Sequence, residues 1–309
     1  MNVNAWIMDL PDNNPINSAA AAGRQPTADP DRFVIPLDQV PAGLAARVDD
    51  HPSDPVRARP AATVVLMRPA DHGPEALLLR RPTRSSFAAG AWVFPGGRVD
   101  AADSDASLSE YWDGPSPAVW RERLGLTSDS EAIAYIAATV REAWEETGIL
   151  LGADCSSPGE SLDRARLDIL NHNTSLREVF EREGLRISAG DILYIAHWIT
   201  PEAEPRRYDT RFFLARVDAD TACVLHGDEL VEATWMRPSD AVERYSAGRM
   251  KLLPPTVHTL NRLAGFTSLE EIWSSLSDAQ VTTILPRMRR SEEGVVVELE
   301  EVSDVPDGS

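Results

Sequence analysis

Between Val140 and Leu150 the sequence reads VREAWEETGIL, placing Glu142, Glu145 and Glu146 among five consecutive positions, with Arg141 just before them and Gly148 just after. Residues three and four apart share a helix face, so all three carboxylates point the same way. Each like-charge pair costs a helix a few tenths of a kcal/mol, roughly, and Arg141, four residues before Glu145, is the one local counter-charge. Such a face of hard oxygen atoms suits magnesium or manganese. A bound divalent cation would relieve the repulsion, polarise a phosphoryl oxygen and lower the pKa of a coordinated water, which is what hydrolysis of a diphosphate requires. REAWEE alone also describes a solvated helix face with an Arg141–Glu145 pair, so its context has to decide.

Upstream, ATVVLMR and EALLLRR read as strands around a turn at PADHGP, and AWVF reads as a third strand ending at Pro95-Gly96-Gly97, where the glycines are expected to permit positive φ in a tight turn. The carboxylates then sit at the end of a helix with Ser128 or Ser130 as N-cap. Ile133, Ile136, Ala137, Val140 and Trp144 form its apolar side, opposite the glutamates, and Gly148 is its left-handed terminator. Residues 101–130 are polar and interrupted, with a short helix over Ala118–Leu124, and read as an insertion. Downstream the pattern predicts one helix over Ser161–Glu183, strands at ILYIAHWIT, DTRFFLARV and ELVEATWMR, helices over Pro238–Tyr245, Pro254–Leu263 and Ser268–Leu276, and an edge strand at VVVEL.

Strand, FPGG turn, insertion and a helix ending REAWEETGI together resemble the Nudix box. In that box a glycine is followed six positions later by Glu, and further on by Arg-Glu-apolar-x-Glu-Glu-x-Gly-apolar. Arg141, Glu142, Ala143, Glu145, Glu146, Gly148 and Ile149 match its second half. Gly97 to Arg141 spans 44 positions, about 30 more than the uninterrupted box. Six after Gly97 stands Asp103 and eight before Arg141 stands Ile133, so the first glutamate of the box has no clear equivalent. The peroxisomal coenzyme A diphosphatase branch carries a long insertion at this point. LLLRRPTRSSFAAGAWVFPGG, WITPEAEPRRYDTRFFLA and LLPPTVHTL are similar to that branch too, over roughly Ala62–Leu263.

The resemblance implies a Nudix α/β/α sandwich with a mixed β-sheet, an insertion within the box and a helical C-terminal extension. The expected organisation is a flexible leader at 1–30, a Nudix domain at 31–276 with the insertion at 103–130 and the extension at 246–276, and a C-terminal tail at 277–309. It further implies Mg²⁺ or Mn²⁺ held by Glu142, Glu145, Glu146 and the Gly97 carbonyl, with Arg141 orienting a glutamate. The general base would be a box glutamate or a later loop residue, for which Glu229 in HGDEL is the candidate. The implied reaction splits coenzyme A or acyl-coenzyme A into 3′,5′-ADP and a 4′-phosphopantetheine species. A dinucleotide or ADP-ribose pyrophosphatase, or a nucleotide-sensing module without turnover, stays open, because fold does not fix function. A coenzyme A signature in related enzymes has arginine where this chain has Ser86, with Arg84 nearby.

Two arginine groups, Arg80, Arg81 and Arg84, then Arg206, Arg207 and Arg211, are either phosphate-holding patches or strand ends paired with acids. His226 reads as a surface histidine. With 49 acidic against 30 basic residues and a net charge of −19, neither nucleic acid nor an anionic membrane is expected as a partner, whereas a small phosphorylated molecule is. Two cysteines, Cys155 and Cys223, without metal-ligand spacing read as reduced thiols. With no signal-peptide pattern, no long apolar run and a PDGS ending unlike a peroxisomal signal, the expected location is cytoplasmic. The Asn173-Thr174-Ser175 sequon then reads as chance. A homodimer is left open, and the insertion, with Trp112 and Trp120, could serve as substrate lid, dimer contact or packing.

Overall fold

The computed structural model describes residues 32–36, 40, 42–49, 55–84, 88–153 and 160–302. The expected leader, Ser86 and Cys155 lie outside the described residues. RPAATVVLMR has the unbroken apolar run of a strand covered on both faces, and it forms Arg59–Arg68, buried from Ala61 to Met67. Around it the main sheet runs in the order Glu232–Met236, Glu75–Arg80, Arg59–Arg68, Tyr208–Arg216, Ile192–Ile199, Thr283–Ile284, Glu301–Val302. Trp92–Val93 adds to Glu75–Arg80, and Gly96–Arg98 to Arg59–Arg68. The pairing of Arg59–Arg68 with Tyr208–Arg216 is parallel, as is that of Thr283–Ile284 with Ile192–Ile199, and the other pairs are antiparallel, so the sheet is mixed.

Helix Asp129–Thr147 packs on Arg59–Arg68 and on Gly96–Arg98, and helix Leu269–Leu276 packs on Ile192–Ile199. The result is the expected α/β/α sandwich. Its core contains fully buried Leu66, Met67, Leu77, Leu78, Phe94, Trp198, Phe212 and Phe213.

The inserted segment is part of this core. Ser116 caps helix Pro117–Leu124, which buries Trp120 completely, edge-on to Phe213 with ring centroids 6.2 Å apart. Leu108 is also fully buried. Strand Trp112–Asp113 runs parallel to Arg186–Ser188, and Arg186 donates to the Asp113 carboxylate and to the carbonyls of Glu110 and Trp112. Of the three roles open to the insertion, the structure shows packing. It also surrounds helix Asp129–Thr147, which is buried at every position from Ala132 to Trp144, so its apolar surface is no single stripe.

Two further expectations are corrected. Ser161–Glu183 is two helices, Glu160–Leu170 and Leu176–Glu183, because Asn171 to Ser175 offer the backbone local alternatives: His172 takes φ 57°, and Ser175 with Glu178 builds a capping box for the second helix. VVVEL is no edge strand. Gly294–Glu298 lies between Arg32–Pro36 and Arg287–Ser291 in a separate three-stranded sheet, and with helix Ala42–Asp49 it closes a small core of Ile35, Leu44, Val48, Ala203, Met288, Val295 and Val297. The segment expected to be a tail thus contributes to two sheets.

Replacing Trp120 with Ala should cost about 3–5 kcal/mol of unfolding free energy in urea titration, as truncating a large buried aromatic does. A loss below about 1 kcal/mol would mean that the insertion only rests on the core.

Candidate active site

Ser128, rather than Ser130, caps helix Asp129–Thr147: its hydroxyl accepts from Glu131 N–H, and the Glu131 carboxylate accepts from Ser128 N–H in return. The helix ends at Gly148, with φ 75°. Near that end Arg141 is the hub. Its Nε and Nη2 each donate to the Asp103 carboxylate at 2.9 Å. Nη2 also donates to the Arg98 carbonyl at 2.8 Å, while Nη1 donates to Glu142 Oε1 at 2.8 Å and Glu145 Oε2 at 3.1 Å. All five guanidinium donors are therefore used. Burial alone would lower the Arg141 pKa, but Glu142, Asp103 and Glu145 outweigh it and hold the group charged.

Asp103, 2% exposed, answers the question of the missing first glutamate. It stands six residues after Gly97, and the 3-10 turn Ala101–Ser104 carries its shorter side chain to Arg141. The insertion therefore begins after Asp103, and the box is complete with Asp in place of Glu.

The glycines are selected by close approach, not by positive φ, which neither adopts. They form strand Gly96–Arg98 against Ala61–Thr63. A Cβ on Gly96 would stand 2.6 Å from the Ala62 carbonyl oxygen, and one on Gly97 would fall on the Glu142 carboxylate. The register also sets which carbonyl is available. Val64 donates to Pro95 and Val99 to Pro60, so Gly97, paired with Ala62 in the same phase, turns its N–H and C=O toward the neighbouring strand. Gly96 faces the other way, its N–H donating to Glu146 Oε2 at 3.1 Å. The backbone oxygen that could join the carboxylates is thus that of Gly96, where the sequence pointed to Gly97.

Glu142, Glu145 and Glu146 occupy the negative end of the helix, whose last turn carries no basic residue. Burial pushes the Glu142 carboxyl up to about 7, opposed by Arg141 and reinforced by Glu145. Burial raises Glu145 as well, again against Arg141. Arg166 offsets part of the charge from behind, with Nη2 donating to the Glu145 and Val224 carbonyls at 2.9 and 2.8 Å. The donor set fits magnesium or manganese: hard oxygens, under-neutralised, against a backbone cradle that a Cβ would fill. Glu142 and Glu145 each spend one oxygen on Arg141, which leaves the other to a cation. With the side chains so turned, no group of three or more His, Cys, Asp or Glu among the described residues converges on one point.

Comparison with known proteins agrees with this geometry. A family model described as the NUDT19 Nudix domain matches residues 119–263. A crystal structure of a NUDIX hydrolase from Alicyclobacillus acidocaldarius superposes with a TM-score of 0.61 at 28% identity, covering 72% of this chain and 99% of that one. The chain belongs to the Nudix hydrolase superfamily. A Nudix protein from Caenorhabditis elegans is 31% identical over 209 residues, 67% of this chain, and the chain spans 60% of that relative's length. The human acyl-coenzyme A diphosphatase NUDT19 is 29% identical over 276 residues, 71% of this chain and 72% of the relative.

In this Nudix hydrolase the six candidate phosphate-binding arginines divide. Arg81 is buried, and Glu146 and Glu229 attract its charge while burial lowers its pKa. The structure thereby brings Arg81, Glu146 and exposed Glu229 into one neighbourhood. Arg80 pairs with Glu232 at 2.8 Å and lies over the Trp92 ring, and Arg84 pairs with Asp228 at 3.5 Å on the surface. The second group does not form a patch. Arg206 is exposed, whereas Arg207 is 2% exposed and donates to the Thr200 and Val56 carbonyls. Arg211 donates to the Tyr135 hydroxyl, Asp209 and the Leu124 carbonyl. Tyr135 lies ten residues before Glu145, about 15 Å along the helix, so Arg211 stitches insertion, helix and sheet together rather than facing the carboxylates. His226 is exposed, as expected. Sequence reasoning saw Asp103 at the six-residue spacing but gave it no role, and it missed Arg166, for which there was no signal.

Two outcomes are expected. Gly97→Ala should displace the Glu142 carboxylate and lower turnover about 100-fold in a protein that still folds, measured by steady-state kinetics beside circular dichroism. Because Glu142 and Glu145 have folded-state pKa values above the ordinary glutamate 4.5, the folded chain binds more protons than the unfolded one between about pH 4.5 and 7. Stability in chelator should therefore fall as pH rises through that window. Glu204, which burial pushes to about 7 against Arg47, contributes in the same direction. Urea titrations at about pH 5 and pH 8 check this: Glu142→Gln and Glu204→Gln should each flatten the loss, and an unchanged slope in Glu142→Gln contradicts the assignment.

Proposed function

We propose that this Nudix hydrolase cleaves the diphosphate of coenzyme A or acyl-coenzyme A with Mg²⁺ or Mn²⁺, releasing 3′,5′-ADP and 4′-phosphopantetheine or its acyl form. The observation that carries the catalytic reading is the intact clamp: Arg141 joining Asp103, Glu142 and Glu145 with Glu142 seated against Gly97. A chain that had lost turnover would be free to lose these carboxylates, and none is missing. The coenzyme A reading is supported by the NUDT19 family model and by the human relative's activity.

Glu142, Glu145 and Glu146, with the Gly96 carbonyl, are the groups we assign to the metal. When bound, the divalent cation neutralises charge on the phosphoryl oxygens and acidifies a coordinated water. Arg141 keeps Glu142 and Glu145 in place, and its own charge is fully spent on carboxylates and a carbonyl. Arg81, beside Glu146, is the cation we assign to the diphosphate. Water oxygen bonds to phosphorus, the bridging P–O bond breaks, and a carboxylate takes the proton. Glu229, on the loop facing Arg81 and outside the metal set, is placed for that.

Purified protein should be tested with Mg²⁺ or Mn²⁺ against coenzyme A, acetyl-coenzyme A, NADH, ADP-ribose and diadenosine polyphosphates, with products separated by chromatography. Cleavage of the coenzyme A species should depend on metal and fall at least about 100-fold in Glu145→Gln and Glu146→Gln. A comparable fall in Glu229→Gln identifies Glu229 as the base, and a fall below about tenfold leaves the proton to a glutamate of the box. Cleavage of another substrate alone would discard coenzyme A, and no cleavage by folded protein would discard the hydrolase reading.

A further inference from the structure

Among the chain's 30 lysine and arginine residues, Lys251 is the only lysine. It lies between helices Pro238–Ser246 and Pro254–Leu263, in a segment that reaches across to the strand leading into FPGG. Its carbonyl accepts the Trp92 N–H at 2.9 Å, and its Nζ donates to the Ala89 carbonyl at 3.1 Å. The same loop carries the Arg81 neighbourhood, since Arg81 N–H donates to Ala91 at 2.9 Å and Gly90 N–H to Pro82 at 3.2 Å. Trp92 is four residues before Gly96, at most about 14 Å along an extended chain. Ala89, which holds the ammonium, is seven residues before Gly96, so Lys251 is fastened to the segment that ends at the carboxylates.

Its chemistry is unlike that of its basic neighbours. Arg80 is paired with Glu232 and Arg84 with Asp228, but among the described residues no carboxylate acts on Lys251, and burial pulls its ammonium below the usual lysine range. An ammonium has three donors. Among the described residues Ala89 is the partner of one, which leaves two for something else in a half-buried site. A half-buried cation without an acid, in a protein of net charge −19, is placed for an anion supplied from outside. Lysine suits that better than arginine, because a compact point charge can keep its carbonyl bond and still meet a phosphate from another direction.

We propose that Lys251 binds a second phosphate of the substrate, a phosphate monoester set apart from the scissile diphosphate. Identifying it as the 3′-phosphate of coenzyme A rests on the function proposed above, whereas the phosphate site itself rests on Lys251. The site prefers nucleotides bearing that extra group, and the segment after helix Pro238–Ser246 confers the preference.

The test is calorimetric binding of adenosine 3′,5′-bisphosphate and adenosine 5′-monophosphate to wild-type protein, Lys251→Met and Lys251→Arg. Wild type should bind the bisphosphate at least about tenfold more tightly, the typical gain from one charge-assisted phosphate contact. Lys251→Met should bring the two nucleotides within about twofold by weakening only the bisphosphate, and Lys251→Arg should retain part of the preference. Equal affinities in wild type, a preference surviving in Lys251→Met, or equal weakening of both nucleotides overturns the proposal. Should Lys251→Met not fold, Lys251→Gln serves in the same comparison. A bisphosphate preference without coenzyme A cleavage overturns the function and leaves the Lys251 site standing, and cleavage without the preference does the reverse.

Discussion

One buried guanidinium holds the site together. Arg141 meets Asp103 from the chain before the insertion and Glu142 and Glu145 from the helix after it, so the two halves of the box, 44 positions apart at Gly97 and Arg141, close on a single charge. Removing either side of such a pair leaves uncompensated buried charge at about 3–5 kcal/mol. One cation against three carboxylates does not balance, however. The remaining negative charge lies at the helix end where the backbone dipole is also negative, and burial expresses it as raised carboxyl pKa values. The fold tolerates this under-neutralised face because its neighbours are fixed: Gly97 admits the Glu142 carboxylate, Gly96 bonds Glu146, and Arg166 fastens the last turn from the other side.

The same constraint explains how the box accommodates its insertion. Asp103 and Arg141 need only meet in space, and the entropy of closing a longer loop grows slowly with its length. The inserted residues offset that cost through Trp120 on Phe213 and the Trp112–Asp113 strand, while Arg211 anchors Leu124 to Tyr135 and Asp209. Arg211 therefore serves the site indirectly, by fixing the helix whose far end carries the carboxylates.

How much of this the sequence revealed depended on the range of each interaction. The box helix, its apolar residues and its Gly148 terminator were legible because period and capping are local, as was the central strand in its unbroken apolar run. The break at His172 was not, since five polar residues read equally well as a solvated helix face. VVVEL was recognised as a strand but not placed, because its partners Arg32–Pro36 and Arg287–Ser291 are set by long-range pairing. Within the site, the charge on Glu142, Glu145 and Glu146 was visible and its compensation was not. Asp103 looked like a departure from the motif until the turn after Arg98 brought it to Arg141, and the two arginine groups looked alike until their partners separated Arg81, beside Glu146, from Arg207 and Arg211, which are tied to backbone carbonyls, Tyr135 and Asp209. Sequence showed which residues could do chemistry; packing showed which of them are spent on the fold.

The central claim is that this helix end is under-neutralised and is completed by a divalent cation. The most direct measurement is calorimetric titration of Mn²⁺ into chelator-stripped protein in two buffers of different ionisation enthalpy. Near pH 6.5, just below the raised Glu142 value of about 7, binding should release protons, and by about pH 9 the release should vanish while binding persists. Binding that releases no proton near pH 6.5, or that is unchanged in Glu145→Gln and Glu146→Gln, would contradict the account.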